Sequence, residues 1–167
     1  MLEAKGDMLT MACDALCITT NGFIKSNGCA VMGAGIAKQV NRLVDGVDKR
    51  LGELITKEGN KVHLLTHVEQ IALVSFPVKP VVETSNGKNF VSHKYFAIGT
   101  TIPGWACKAD IKLIERSCHQ LVELTDRMGW KSVLLPRMGC GRGELNWEDV
   151  KKVVEPLLDD RFIVCTF

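Results

Sequence analysis

Apolar residues fall into short continuous runs that alternate with stretches of helical periodicity. Leu2 to Lys5 reads as a short strand ended by Gly6-Asp7, and Ala15 to Thr20 as a second, closed by the turn signal Asn21-Gly22. Gly28 to Gly35 is glycine-rich, and after it Ile36, Val40, Leu43 and Val44 recur at helical spacing. A further helix is predicted over Lys49 to Lys57, stopped at Gly59-Asn60, where glycine supplies a left-handed cap. Val62 to Val68 and Ile71 to Phe76 read as strands, the latter nearly all apolar and so buried on both faces.

The segment Val81 to Ile98 carries Asn86-Gly87 at its middle and reads as a hairpin standing off the sheet. Asp110 then opens a long helix with Ile111, Ile114, Cys118, Leu121, Val122 and Thr125 on one face, until Gly129 stops it. Ser132 to Leu135 is a buried strand. Trp147, Val150, Val154, Leu157 and Leu158 mark a last helix that Pro156 should kink, and Phe162 to Cys165 a final strand. Strands alternating with helices, with apolar runs between them, predict an α/β fold in three layers, one domain over residues 1–167. No internal repeat, low-complexity segment or linker interrupts it.

Two glycine-rich turns follow strands and precede helices: Met32-Gly33-Ala34-Gly35-Ile36-Ala37, and Gly139-Cys140-Gly141-Arg142-Gly143 before a helix beginning at Trp147. Glycines let backbone N–H groups converge on phosphate oxygens, and a helix N-terminus favours negative charge. Either turn alone is equally a plain surface turn. Two on one small domain point to a diphosphate held between them, at the carboxyl ends of the strands. Familiar nucleotide motifs fail: Lys38 stands where the dinucleotide fingerprint needs its third glycine, and the Gly139 loop lacks the Gly-Lys-Ser/Thr ending of a P-loop.

Composition narrows the picture further. Hydrophobic residues at 46% and charged residues at 24% are ordinary for a globular protein. A net charge of +2 does not by itself predict stable nucleic-acid or membrane binding. No run of apolar residues is long enough for a membrane span, and the opening Met1 to Asp7 lacks a signal-peptide core. Seven cysteines, an odd number, without an export signal, place the expected chain in the cytoplasm with reduced thiols. His63 and His67 read as strand residues about 13 Å apart, too far to share an ion, so neither a metal nor a cofactor is expected.

Over nearly its whole length the chain resembles the macrodomain family of ADP-ribose-binding modules. The matching pieces, in order, are Lys5-Gly6-Asp7, Ile18-Thr19-Thr20-Asn21, Met32 through Ala37, Ser75-Phe76-Pro77-Val78-Lys79, and Leu135-Pro136 through Trp147. The nearest likeness is to the branch of the terminal ADP-ribose protein glycohydrolase and the antitoxin macrodomains that reverse DNA ADP-ribosylation. Small phage-encoded macrodomains look similar too. The resemblance implies a three-layer α/β/α sandwich with a mixed central sheet. Its implied partners are ADP-ribose or an ADP-ribosylated protein or nucleic acid.

The resemblance also implies residue roles. Asp7 would accept a hydrogen bond from the adenine amino group, as an acceptor-only carboxylate does well; taken by itself it reads first as a strand-ending turn residue. Asn21 would contact the distal ribose. Gly33, Ala34, Gly35 and Ile36 would wrap the diphosphate from one side, and Gly139, Cys140, Gly141, Arg142 and Gly143 from the other, with only the backbone of Cys140 engaged. Lys79 would lie beside the anomeric carbon, where an amine with a lowered pKa attacks or stabilises charge. The glycohydrolase carries an acid or base aspartate in its second loop, where this chain has Gly143. Glu144 would substitute as general acid if its side chain turns inward. An ADP-ribosyl hydrolase is therefore expected, with a non-catalytic ADP-ribose reader and an ADP-ribose 1″-phosphate phosphatase as alternatives.

Overall fold

The structure is a computed structural model describing residues 1–167. Six strands form the central sheet: β1 (Leu2–Lys5), β2 (Ala15–Thr20), β3 (His63–Val68), β4 (Ile71–Pro77), β7 (Val133–Pro136) and β8 (Phe162–Thr166), in the order β1-β8-β7-β2-β4-β3. Neighbours from β1 through to β4 pair in parallel, and only the edge strand β3 runs antiparallel, to β4. The sheet is thus mixed. Because those strands are parallel, their carboxyl ends all emerge on one side.

Alternation along β2 shows why the sheet needs cover on both faces. Ala15 and Cys17 join one buried cluster, Leu16 and Ile18 the other. Helices α3 (Ile111–Met128) and α4 (Trp147–Val154) cover the first face through Ile114, Cys118, Leu121, Trp147 and Val150. Helices α1 (Gly35–Leu43) and α2 (Val47–Glu58) cover the second through Ala37, Val40, Val47, Leu51 and Ile55. The three-layer α/β/α sandwich is the result. No helix is long and apolar enough to cross a membrane.

α3 matches its sequence signals at both ends. Asp110 accepts from the backbone N–H groups of Lys112 and Leu113, and Gly129 closes the helix at φ 70°. α4 is shorter than its apolar spacing predicts. It stops at Val154, since Pro156 has no N–H with which to continue the ladder.

The expected hairpin closed by Asn86-Gly87 is not formed. β5 (Val82–Thr84) instead pairs with β6 (Thr101–Pro103), leaving residues 85–100 as a folded excursion. The Asn86 side chain is turned back to accept from the N–H groups of Lys88 and Asn89, and Asn89 in turn donates to Thr84 O and Glu83. That local Asx turn takes Lys88 N while Ser85 N donates to Thr100 O, so the groups a two-residue hairpin would pair are engaged elsewhere.

Candidate functional site

A cleft of about 480 Å³ opens at the carboxyl ends of the parallel strands, a size typical of small-molecule sites. Its walls come from Gly6 and Met8 after β1, Thr19 to Asn21 at the end of β2, Val78 and Lys79 after β4, and Cys165 on β8. Gly33, Ala34, Gly35 and Ile36 line one side, and Gly139, Gly141, Arg142 and Gly143 the other. The structure brings both glycine turns to one cavity.

The two turns are not equivalent. α1 begins in the cleft, with Gly35, Ile36 and Ala37 in its wall; its N-cap Ala34 offers no side-chain cap and its first turn holds no acidic residue. The first N–H groups of that helix are therefore left for a ligand. α4 departs from the sequence expectation of a second helix-end anion site. Asn146 caps it by accepting from Glu148 N, its first turn carries Glu148 and Asp149, and none of its residues lines the cleft. Its first side chain, Trp147, instead donates to Glu3. An anion is favoured at α1 and repelled at α4.

Lys79 is carried into the cleft by β4 and is only 7% exposed. Pro77 ends the strand, and the backbone beyond it is fixed from two sides: Lys79 N donates to Thr20 O and Lys79 O accepts from Asn60 Nδ2. The Nζ donates to Trp105 O at 3.2 Å and to Arg142 O at 3.1 Å. No carboxylate pairs with it, and burial pushes its pKa below the ordinary lysine value, with Arg142 adding to the fall and Cys107 and Glu144 opposing it. Two of the three tetrahedral positions on Nζ are occupied by carbonyls. On loss of a proton the third becomes a lone pair.

Other sequence-predicted residues stand elsewhere. The Asn21 side chain lies in the cleft wall and is committed locally, donating to Val31 O and accepting from Phe23 N. Asp7 sits at the rim between the lining residues Gly6 and Met8; its Oδ1 caps a 3-10 turn by accepting from Leu9 N, and Oδ2 has no protein partner. Cys140 is not in the wall; its thiol donates to Met138 O and burial pushes its pKa up to about 11, which keeps it a thiol near neutral pH.

Glu144 corrects an expectation outright. Its side chain turns out of the cleft and its carboxylate accepts from Ser92 N and Ser92 Oγ, which hold it below the usual carboxylate range. In that geometry it has no proton to give and no ligand to give one to. Gly143 cannot be replaced by an acid either: a Cβ there would lie 2.5 Å from Gly139 O and 2.6 Å from the Ala109 Cβ. Close packing of the second loop on itself demands a glycine.

Several wall residues escaped sequence reasoning. Thr20 is 5% exposed and its hydroxyl has no hydrogen-bond partner. It lay inside the Ile-Thr-Thr-Asn piece and at a strand end, so the signal was present. Arg137 reaches the cleft stacked over the Trp147 ring at 5.4 Å. Val91 and His93 come from the excursion and Trp105 from the turn after β6, whose paths no periodicity announces.

A family model described as Macro domain matches residues 25–154. No curated protein matches the chain. Among solved structures, the macrodomain of Mycobacterium tuberculosis DarG superposes with a TM-score of 0.71 at 20% identity, covering 99% of this chain and 97% of that one. The macrodomain of Thermus aquaticus DarG gives 0.69 at 18%, over 99% and 97%. Thermosipho africanus DarTG, solved in complex with ADP-ribose, gives 0.70 at 19%, over 99% of this chain and 42% of that one. At such identities these likenesses speak for the fold. The Macro domain match spans well over half of the sequence, and the chain belongs to the macro domain family.

Proposed function

We propose that this chain binds ADP-ribose in the cleft and hydrolyses the bond joining its distal ribose to a modified macromolecule. The diphosphate lies between the uncapped start of α1 and the second glycine loop. The free Oδ2 of Asp7 takes the adenine amino group at the rim, and Asn21 faces the distal ribose. That Thermosipho africanus DarTG was solved with ADP-ribose supports the choice of ligand.

The observation that carries the reading is Lys79: a buried ammonium in the cleft, held by two carbonyls and paired with no carboxylate. Its neutral amine attacks the anomeric carbon, forming a C–N bond as the leaving group departs with the electron pair of the broken bond. The proton the new secondary amine sheds balances the one the leaving group takes up from solvent, and water then adds at the anomeric carbon, releasing ADP-ribose and restoring the lysine. The outward turn of Glu144 favours a second reading, a non-catalytic reader of ADP-ribose.

Calorimetry with ADP-ribose, followed by product analysis on ADP-ribosylated protein and DNA, separates the two. We expect micromolar affinity, on the order of −8 kcal/mol. Lys79→Ala should bind within a few-fold of the parent and lose about 10²-fold or more in hydrolysis. Lys79→Arg should fail as well, because guanidinium stays protonated. Full activity in the arginine variant would assign Lys79 an electrostatic role, and tight binding with no product from the parent chain would establish the reader.

A further inference from the structure

Glu144 is exposed, far from an ideal backbone geometry and yet doubly hydrogen-bonded. At φ 63° it is one of two non-glycine residues with positive φ, the other being Glu69 in the β3–β4 turn. A glutamate held there is strained relative to glycine, and such strain persists where contacts over-determine it. Two contacts hold it: Oε2 accepts from Ser92 N at 2.8 Å and from Ser92 Oγ at 3.0 Å, across 52 residues of sequence.

Ser92 is the residue between Val91 and His93, both of which line the cleft. Its own side chain faces out, toward Glu144. Gripping Ser92 therefore fixes the two neighbours that face in. On the inner side the second loop is tied again by Lys79, whose Nζ donates to Arg142 O and to Trp105 O. Trp105 lies in the turn after β6, which the excursion joins through Val91 N donating to Ala106 O at 2.9 Å. One tie lies outside the wall and one inside it. Both cross the Lys79 end of the cleft.

We propose that Glu144 is a positioning residue: by clasping Ser92 it holds His93 and Trp105 against the Lys79 end of the cleft, shaping the compartment that receives the group attached to the distal ribose. This rests on the hydrolase reading above. On that reading ADP-ribose lies against the glycine loops, and neither Glu144 nor Ser92 lines the cleft, so the clasp governs the attached group and not the nucleotide.

Three variants test it. Glu144→Gly accepts the positive φ and loses the grip; Glu144→Gln keeps an oxygen to accept from Ser92 and loses the charge; Ser92→Ala removes one of the two donors. In Glu144→Gly, ADP-ribose affinity should stay within about two-fold while kcat/KM on an ADP-ribosylated substrate falls about 10- to 100-fold, as a misplaced site does. Amide exchange across residues 85–100 should rise in the same variant. Glu144→Gln should keep most of the activity and protection, and Ser92→Ala should fall between. A glutamine variant as inactive as the glycine variant overturns the proposal in favour of an acid or charge role. So does a glycine variant with parental turnover and exchange. A parent chain that binds ADP-ribose but turns nothing over removes the positioning role together with the hydrolase reading; faster exchange in the glycine variant would then still establish the clasp as a structural tie.

Discussion

Lys79 N donates to Thr20 O just beyond the end of the β2–β4 pairing, and each residue holds a polar group where burial makes it costly. For Lys79 the cost falls on the charged form. Its pKa therefore lies below 10.5, and the neutral amine grows with rising pH through that lowered value. Hydrolysis should rise with pH in the same window, measured as kcat/KM against pH; a profile flat from neutral to alkaline pH would remove the amine from the rate-limiting step. For Thr20 the cost is an orphaned hydroxyl, which disfavours the fold unless a ligand pairs with it. Thr20→Val should then raise stability by about 1 kcal/mol in thermal unfolding and weaken ADP-ribose binding by a similar amount. Loss of stability with unchanged affinity would make Thr20 a packing residue. The departure at Glu144 belongs to this scale too. Residue type alone said acid; the direction of one side chain was set by a backbone N–H at Ser92 that no local pattern places nearby.

At the scale of elements, α1 and α4 look alike in sequence and behave oppositely. Both follow a glycine loop, but Asn146 and two acidic residues close the start of α4, whereas Ala34 leaves α1 open. Ala34 already has the extended backbone of an N-cap, at φ −149° and ψ 162°. Ala34→Asp should cap the helix and add about 1 kcal/mol of stability. The same carboxylate occupies the anion position, so ADP-ribose affinity should drop about tenfold or more, the worth of one hydrogen bond to a charged group. Stability and binding moving together would place the diphosphate elsewhere. Gly35 tests the same element by shape. Its φ of +56° disfavours any side chain and no protein atom lies within 4 Å of an added Cβ, so Gly35→Val should abolish binding with little damage to packing.

At the scale of the whole molecule, the cleft exists because five parallel strands end together and two connections fold over them. Ligand that binds only this assembled state stabilises all of it by mass action. Saturating ADP-ribose at about one hundred times its dissociation constant adds about 2.7 kcal/mol, which for a chain of this length raises the melting temperature by about 5–11 °C. A scan with and without ADP-ribose measures it, and an unchanged melting temperature at that concentration would contradict binding to the folded cleft.

The sequence by itself determined the sandwich and the location of its business end. Apolar runs such as Ile71 to Phe76 must be buried on both faces, the alternating helices supply the cover, and glycine turns fall at strand ends because only there does the chain reverse. Asp110 and Gly129 fixed a helix to the residue, since caps are local chemistry. Tertiary structure alone decided what the loops do. Whether Asn86 closes a hairpin, whether α4 faces the cleft, and which way Glu144 points all depend on hydrogen-bond partners distant in the chain or on side-chain turns that compete with a ladder. Trp105 reaches Lys79, and His93 the cleft wall, by the same long-range closure. Periodicity records which face of an element is buried; it carries no term for a partner 52 residues away.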